Sequence, residues 1–197
     1  MKVAIIKYNA GNIFSVENAL RRIGQDAVIT DNPDVIRAAD KVIFPGVGEA
    51  STTMKYLREH DLDKLICSLQ QPTLGICIGL QLLCKRSEEG DTECLGIFDE
   101  SVKRFQSKEH KIPHMGWNTI QHNGSPLFAG LEKEPYVYYV HSYYAELGKH
   151  TIAATDYAQP FSAALHKDNF YAVQFHPEKS AWVGERILKN FLSLTNH

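Results

Sequence analysis

The chain has 197 residues, of which 44% are hydrophobic and 22% charged, and its formal net charge is −2. One α/β domain spanning 1–197 fits that length with a core of ordinary size. The small net charge argues against general electrostatic affinity for nucleic acid or for an anionic membrane. The first apolar run stops at Lys7, too short for a signal peptide, and no stretch approaches the ~18 apolar residues of a membrane span, so a cytosolic (cytoplasmic) protein is expected. In a reducing compartment Cys67, Cys77, Cys84 and Cys94 are expected to be thiols, buried by default. They form no C-x-x-C pair for zinc, and no metal site is expected.

In chain order, Val3–Ile6 reads as a buried parallel strand. Residues Asn12 to Ile23 follow with apolar side chains at helical spacing, and Gly24 is placed to stop that helix. Ala27–Thr30 is a second strand. Asn32-Pro33 opens a brief helix to Ala39, with Asn32 as its cap. Val42–Phe44 is a third strand, followed by the loop Pro45-Gly46-Val47-Gly48. Helical patterns fill Ala50–Glu59 and Leu62–Leu69, Thr73–Ile76 is a fourth strand, and a helix begins at Leu80–Lys85. Strands alternating with helices predict an open, mostly parallel central sheet flanked by helices, with right-handed crossovers. Beyond Gly96 short strands replace this alternation: Val102–Phe105, Trp117–Gln121, Tyr136–Val140, Ile152–Thr155, Ala163–His166 and Tyr171–Phe175. They predict additional antiparallel strands in the C-terminal half, before a closing helix from Ala181 to Leu194.

Gly75-Ile76-Cys77-Ile78-Gly79 has the form of a nucleophile elbow, a sharp turn from strand to helix that exposes the central side chain. Two glycines permit the turn, the helix N-terminus favours a thiolate, and the position lies at the carboxyl edge of the sheet, where open α/β folds bind ligands. A buried structural cysteine is the bland alternative, and it is retained for the other three. A cysteine nucleophile needs a base, and a base needs an orienting group. His176-Pro177-Glu178 follows the strand Tyr171–Phe175. Residues at i and i+2 in extended chain share a side, so Glu178 is placed to hold one ring nitrogen of His176 while the other faces Cys77. His141 is the second candidate base, with no acid beside it, and is assigned to the substrate site or the core. The Gly46–Gly48 loop ends a strand at the same edge. Its N–H groups, with that of Ile78, are placed to hold an oxyanion, although a plain turn is equally consistent with the segment alone. A phosphate loop is disfavoured, because neither G-x-G-x-x-G nor G-K-[ST] is present.

Pro45–Gly48, Gly75–Gln81 and His176–Glu178, in that order, resemble the class-I, or triad, glutamine amidotransferases. Ala10-Gly11-Asn12 with Ser15-Val16, Pro113–Asn118, His141-Ser142-Tyr143 and His176–Ser180 resemble one branch, the glutaminase subunits that serve imidazole glycerol phosphate synthase in histidine biosynthesis. The resemblance implies Cys77, His176 and Glu178 as a catalytic triad and Gly46, Val47 and Gly48 as the glutamine and oxyanion loop. It also implies Gln81 and Glu89 at the amino-acid end of substrate glutamine, beside the backbone of Ser142 and Tyr143. Trp117, Asn118, Tyr138 and Lys179 would lie near a partner, a (β/α)8-barrel cyclase forming a heterodimer, and no cofactor is implied. On residue type alone, Trp117 is equally a core aromatic and Tyr136, Tyr138 and Tyr139 are equally strand formers, whereas Gln81, one helical turn past Cys77, is placed for substrate. Other triad amidotransferases, a free-standing γ-glutamyl or peptide hydrolase, and a binding module with an inactive site are the competing readings. The complete Cys, His and Glu set counts against the last.

Overall fold

The computed structural model describes residues 1–9 and 11–195, so Ala10 of the Ala10-Gly11-Asn12 segment lies outside it. Fourteen strands occur in the described residues: β1 (Val3–Ile6), β2 (Val28–Thr30), β3 (Lys41–Phe44), β4 (Thr73–Ile76), β5 (Arg86–Ser87), β6 (Thr92–Glu93) and β7 (Ser101–Arg104), then β8 (His114–Thr119), β9 (Gln121–His122), β10 (Tyr136–His141), β11 (Tyr143–Ala145), β12 (Thr151–Tyr157), β13 (Gln159–Lys167) and β14 (Phe170–Val173). The α-helices are α1 (Ile13–Arg22), α2 (Pro33–Arg37), α3 (Ala50–Glu59), α4 (Leu62–Cys67), α5 (Ile78–Leu83) and α6 (Ala181–Ser193). None is long and apolar enough to cross a membrane.

The main sheet runs β2-β1-β3-β4-β14-β13-β12-β9. The first five strands in that order are parallel, and β14, β13, β12 and β9 continue it antiparallel. Strand β1 is buried on both faces, as an uninterrupted apolar run in a parallel sheet must be. Its side chains alternate between two cores: Val3 and Ile5 meet α1 and α6 on one face, while Ala4 and Ile6 meet α3, α4 and α5 on the other. Helix α2 is capped as expected, Asn32 Oδ1 accepting from Asp34 N at 2.9 Å. Two smaller sheets, β10-β8 and β11-β7-β5-β6, pack beside the main one, β8 against β12 and β11 against β13.

Several predicted elements shift. The helix after Cys77 starts at Ile78 and ends at Leu83, because the elbow turns immediately into it and Cys84 returns to extended backbone. Trp117–Gln121 is split between β8, which pairs with β10, and β9, which edges the main sheet; Ile120 between them is buried and donates to Pro135 O. The two-residue strands β5 and β6 carry too short a pattern to be read in sequence. Cys67 is exposed, contrary to the default expectation of a buried thiol, since it falls at the end of α4 on its outer side. Cys84 and Cys94 are buried; Cys84 lies just past α5 rather than within the helix, and Cys94 lies in the loop that follows β6.

An aromatic cluster joins the main sheet to the β8–β10 pair. Phe161 is fully buried at its centre, with ring centroids 5.1–6.1 Å from those of Phe105, His114, Tyr139, His141 and Tyr144. Truncating it leaves a cavity that these rigid rings cannot close. The Phe161→Ala variant is therefore expected to lose roughly 3–5 kcal/mol of unfolding free energy in urea titration, and Phe161→Leu clearly less.

Candidate active site

Cys77 sits between β4 and α5 with φ 55° and ψ −107°, a backbone conformation rare for a residue with a Cβ. Two constraints hold it there. Its N–H donates to Val173 O of β14 at 2.8 Å. Helix α5 also passes so close to the end of β3 that a Cβ on Gly79 would lie 2.1 Å from the Phe44 carbonyl oxygen, so only glycine lets the helix start at this point. The N–H of Ile78, in the first turn of α5, has no intrahelical acceptor and is free for a ligand.

Strand β14, hydrogen-bonded to β4 in parallel, delivers His176 to the same edge. The His176 N–H donates to Tyr138 O at 2.9 Å, and its ring Nδ1 donates to Glu178 Oε1 at 2.7 Å. Both side chains are fully buried. Asn12 Nδ2 donates to the same carboxylate oxygen, and Asn12 adopts the left-handed conformation (φ 74°) that Asn tolerates better than most residues. With Nδ1 turned to Glu178, the buried Nε2 has no well-formed hydrogen bond among the described residues, and it lies beside the Cys77 sulfur. Burial lowers the imidazole pKa, but the Cys77 sulfur and the Glu178 carboxylate outweigh it and push it up to about 10.

Beside the sulfur is a cavity of about 250 Å³ lined by Val47, Gly48, Ile78, Gln81, Glu89, Ser142 and Tyr143 as well as Cys77, Val140 and His141. Gly46, predicted with them, does not line the cavity and packs instead against Tyr8: the Tyr8 hydroxyl donates to Pro45 O, and a Cβ on Gly46 would sit 1.7 Å from that hydroxyl. The packing anchors the start of the loop. Among the described residues, the N–H groups of Gly46, Val47 and Gly48 have no acceptor. Burial, helped by the neighbouring Cys77, raises the Tyr8 pKa far above its ordinary range, so the phenol stays neutral and donates. Glu89 Oε2 accepts from Ala50 N at 2.8 Å at the start of α3, and half-burial raises its pKa. Gln81 donates through Nε2 to Tyr143 O at 2.9 Å.

His141 proves to be both core and cavity wall. Its Nδ1–H donates to Tyr143 O at 2.7 Å, which leaves Nε2 to accept from His114 Nδ1 at 3.0 Å; His114 Nε2 in turn faces Asn118 Nδ2 at 3.4 Å. Each ring in this relay carries one proton, and a second would set two N–H groups against each other. Burial lowers the pKa of His114 to about 4 and that of His141 to about 3, neighbouring imidazoles adding to the effect.

Of the residues singled out for a partner, Trp117 and Tyr138 oppose each other across β8 and β10 with rings in edge contact at 5.9 Å, and Lys179 Nζ stands 5.9 Å over the Tyr138 ring. Met115, Trp117 and Tyr136 are exposed around them. Asn118 projects from the opposite side of β8, where it donates to Asp156 O and His114. The sequence reading assigned no role to Asn12, Tyr8, His114 or Gln174. Asn12 belongs to the Ala10-Gly11-Asn12 segment and Gln174 lies two residues from His176, but no periodicity links either to the sulfur.

Residues 4–194 match the class-I glutamine amidotransferase family. A Bacteroides fragilis protein named imidazole glycerol phosphate synthase subunit HisH is 63% identical over 98% of this chain and 100% of its own length. One of the same name from Vibrio cholerae is 47% identical over 98% of each. In fold, the chain resembles the crystal structure of a glutamine amidotransferase from Thermotoga maritima (TM-score 0.65, 18% identity, 98% of this chain and 82% of that one).

The histidines set opposite pH dependences. His114 and His141 have pKa values in the folded chain below the ordinary 6.5, so their contribution to stability is complete above about pH 6.5 and is lost as pH falls toward 4 and 3. His176, with a raised value, contributes fully below about 6.5 and loses that contribution as pH rises through 10. Urea unfolding between pH 6.5 and 4.5 is expected to show falling stability. The slope should drop by up to about 1.4 kcal/mol per pH unit in His141→Gln, which removes one buried proton acceptor.

Proposed function

The chain belongs to the class-I glutamine amidotransferase family, and from that premise we propose that Cys77, His176 and Glu178 hydrolyse glutamine to glutamate and ammonia for a cyclase subunit. The chain is the glutaminase subunit of imidazole glycerol phosphate synthase, acting in histidine biosynthesis, where the ammonia goes into imidazole glycerol phosphate with release of AICAR. The observation that carries the reading is one cavity bordered by an elbow cysteine, with a buried histidine beside that sulfur whose Nδ1 is held by a carboxylate, and a loop whose N–H groups have no acceptor among the described residues.

The chemistry follows from those positions. The Cys77 thiolate attacks the side-chain carboxamide carbon of substrate glutamine, whose oxygen becomes an oxyanion held by N–H groups of the Gly46–Gly48 loop and of Ile78. One such donor is worth roughly 10²–10³ in rate. His176 Nε2 protonates the departing nitrogen, so ammonia leaves and a γ-glutamyl thioester remains. His176 then removes a proton from water, which attacks the thioester and releases glutamate and the thiolate. Glu178 and Asn12 keep the imidazole turned for both proton transfers. Glu89 and the free Oε1 of Gln81 accept from the substrate's ammonium group, beside the Ser142–Tyr143 backbone. Neither a metal ion nor an organic cofactor has a step to perform.

Ammonia released into water is mostly protonated and lost as a nucleophile, so a sheltered path to the consuming enzyme is an advantage. Met115, Trp117, Tyr136 and Tyr138, with Lys179 at their edge, form the face for a (β/α)8-barrel cyclase in a heterodimer. Large aromatic side chains rimmed by charge suit a protein interface.

In the complex, Cys77→Ala is expected to lower glutamine-dependent synthesis by roughly 10³-fold or more while ammonium-dependent synthesis persists. Glutamine turnover surviving in that variant would rule out the thioester. Trp117→Ala is expected to weaken binding of the cyclase by about 2 kcal/mol, roughly 30-fold, in titration calorimetry, with the isolated chain's melting temperature unchanged.

A further inference from the structure

Gln174, two residues before His176, is fully buried between β14 and α5. Its Nε2 lies 3.7 Å from Cys77 Sγ, and its Oε1 lies 3.0 Å from Nε2 of Gln81. The Gln81 amide is 2.9 Å from the carbonyl oxygen of Tyr143.

Those contacts decide which way both amides point. The Tyr143 carbonyl can only accept, so Gln81 must turn its NH₂ toward it. The second hydrogen of that NH₂ goes to Gln174 Oε1, which leaves Gln174 with its own NH₂ facing the sulfur. The reverse orientation would set an amide oxygen against a carbonyl oxygen at hydrogen-bond distance. The carbonyl is further pinned by His141 Nδ1–H at 2.7 Å. An N–H aimed at sulfur favours the thiolate over the thiol, since a hydrogen bond to an ion is about twice as strong as one between neutral groups, and more so away from water.

We propose that Gln174 is a further catalytic residue, whose side-chain amide donates to Cys77 Sγ and stabilises the thiolate, with Gln81 and the Tyr143 carbonyl as positioning groups that keep its donor side on the sulfur. The inference rests on Cys77 being the nucleophile. It gives the thiolate a neutral donor beside the imidazolium of His176, and this donor stays in place when His176 gives its proton to the leaving nitrogen. The other titratable groups around the sulfur are Tyr8 just past β1, His141 from β10, Glu89 across the cavity and Glu178 behind His176.

The test is the rate of Cys77 alkylation by iodoacetamide in the full chain from pH 5 to 10, read at the Cys77 peptide by mass spectrometry so that exposed Cys67 does not contribute. In Gln174→Leu the midpoint of the profile is expected to move up by about half a pH unit or more, with rates converging at alkaline pH. Superimposable profiles with a native-like melting temperature would overturn the role of Gln174 and leave the nucleophile untouched. Wild-type Cys77 that resists alkylation throughout would instead overturn the reading of Cys77 itself. Should Gln174→Leu not fold, Gln81→Leu decides: it frees Gln174 to turn, so a smaller shift in the same direction supports the proposal and an unchanged midpoint overturns it.

Discussion

The parallel pairing of β14 with β4 is the contact on which the site depends. It sets Val173 beside Ile76 and lets Cys77 N–H donate to Val173 O, so the chain leaves both strands at one edge although nearly a hundred residues separate them. A parallel pair cannot be joined by a tight turn. The intervening chain must leave the sheet and return, and here it builds the β8–β10 pair and the β5–β7–β11 sheet, which form the far walls of the cavity. The wall segment Val140–Tyr143 and the aromatic face for a partner are thus consequences of one crossover.

Polar groups brought inside by that topology are satisfied in ordered chains. One runs from Asn118 through His114 and His141 to the Tyr143 carbonyl; another runs from the same carbonyl through Gln81 and Gln174 to the sulfur. A carbonyl has no freedom to change role, so it sets the sense of every amide and imidazole attached to it. Buried networks of this kind cost stability when one member is lost, and they favour a single arrangement of the site. Among the described residues, groups with capacity left over at the site include the loop N–H groups, Ile78 N–H, His176 Nε2 and, on the cavity wall, Glu89 and Oε1 of Gln81.

His176 shows how tertiary position overrides residue type. An isolated imidazole titrates near neutrality, yet three buried histidines in this chain take opposite directions. Burial, with neutral hydrogen-bond partners and neighbouring imidazoles, holds His114 and His141 neutral; His176 faces a sulfur and a carboxylate and is held charged. The elbow strain at Cys77 and the hydroxyl of Tyr8 beneath Gly46 serve the same end, fixing the sulfur and the loop before substrate arrives.

Much was legible in order and type along the chain. Val3–Ile6, Ala50–Glu59 and Thr73–Ile76 declare themselves by apolar runs or helical period, and the two glycines around Cys77 mark a turn, because steric rules at that spacing admit few alternatives. His-Pro-Glu placed an acid and a base two residues apart, a local relation that sequence can carry. What only the tertiary structure decided are contacts between distant segments: Asn12 on Glu178, Tyr8 under the loop, Gln174 on the sulfur, and the split of Trp117–Gln121 between two sheets. Periodicity reports which face of one element is buried. It holds no information about which side chain from elsewhere will meet that face, since that is set by strand order and register across the whole sheet.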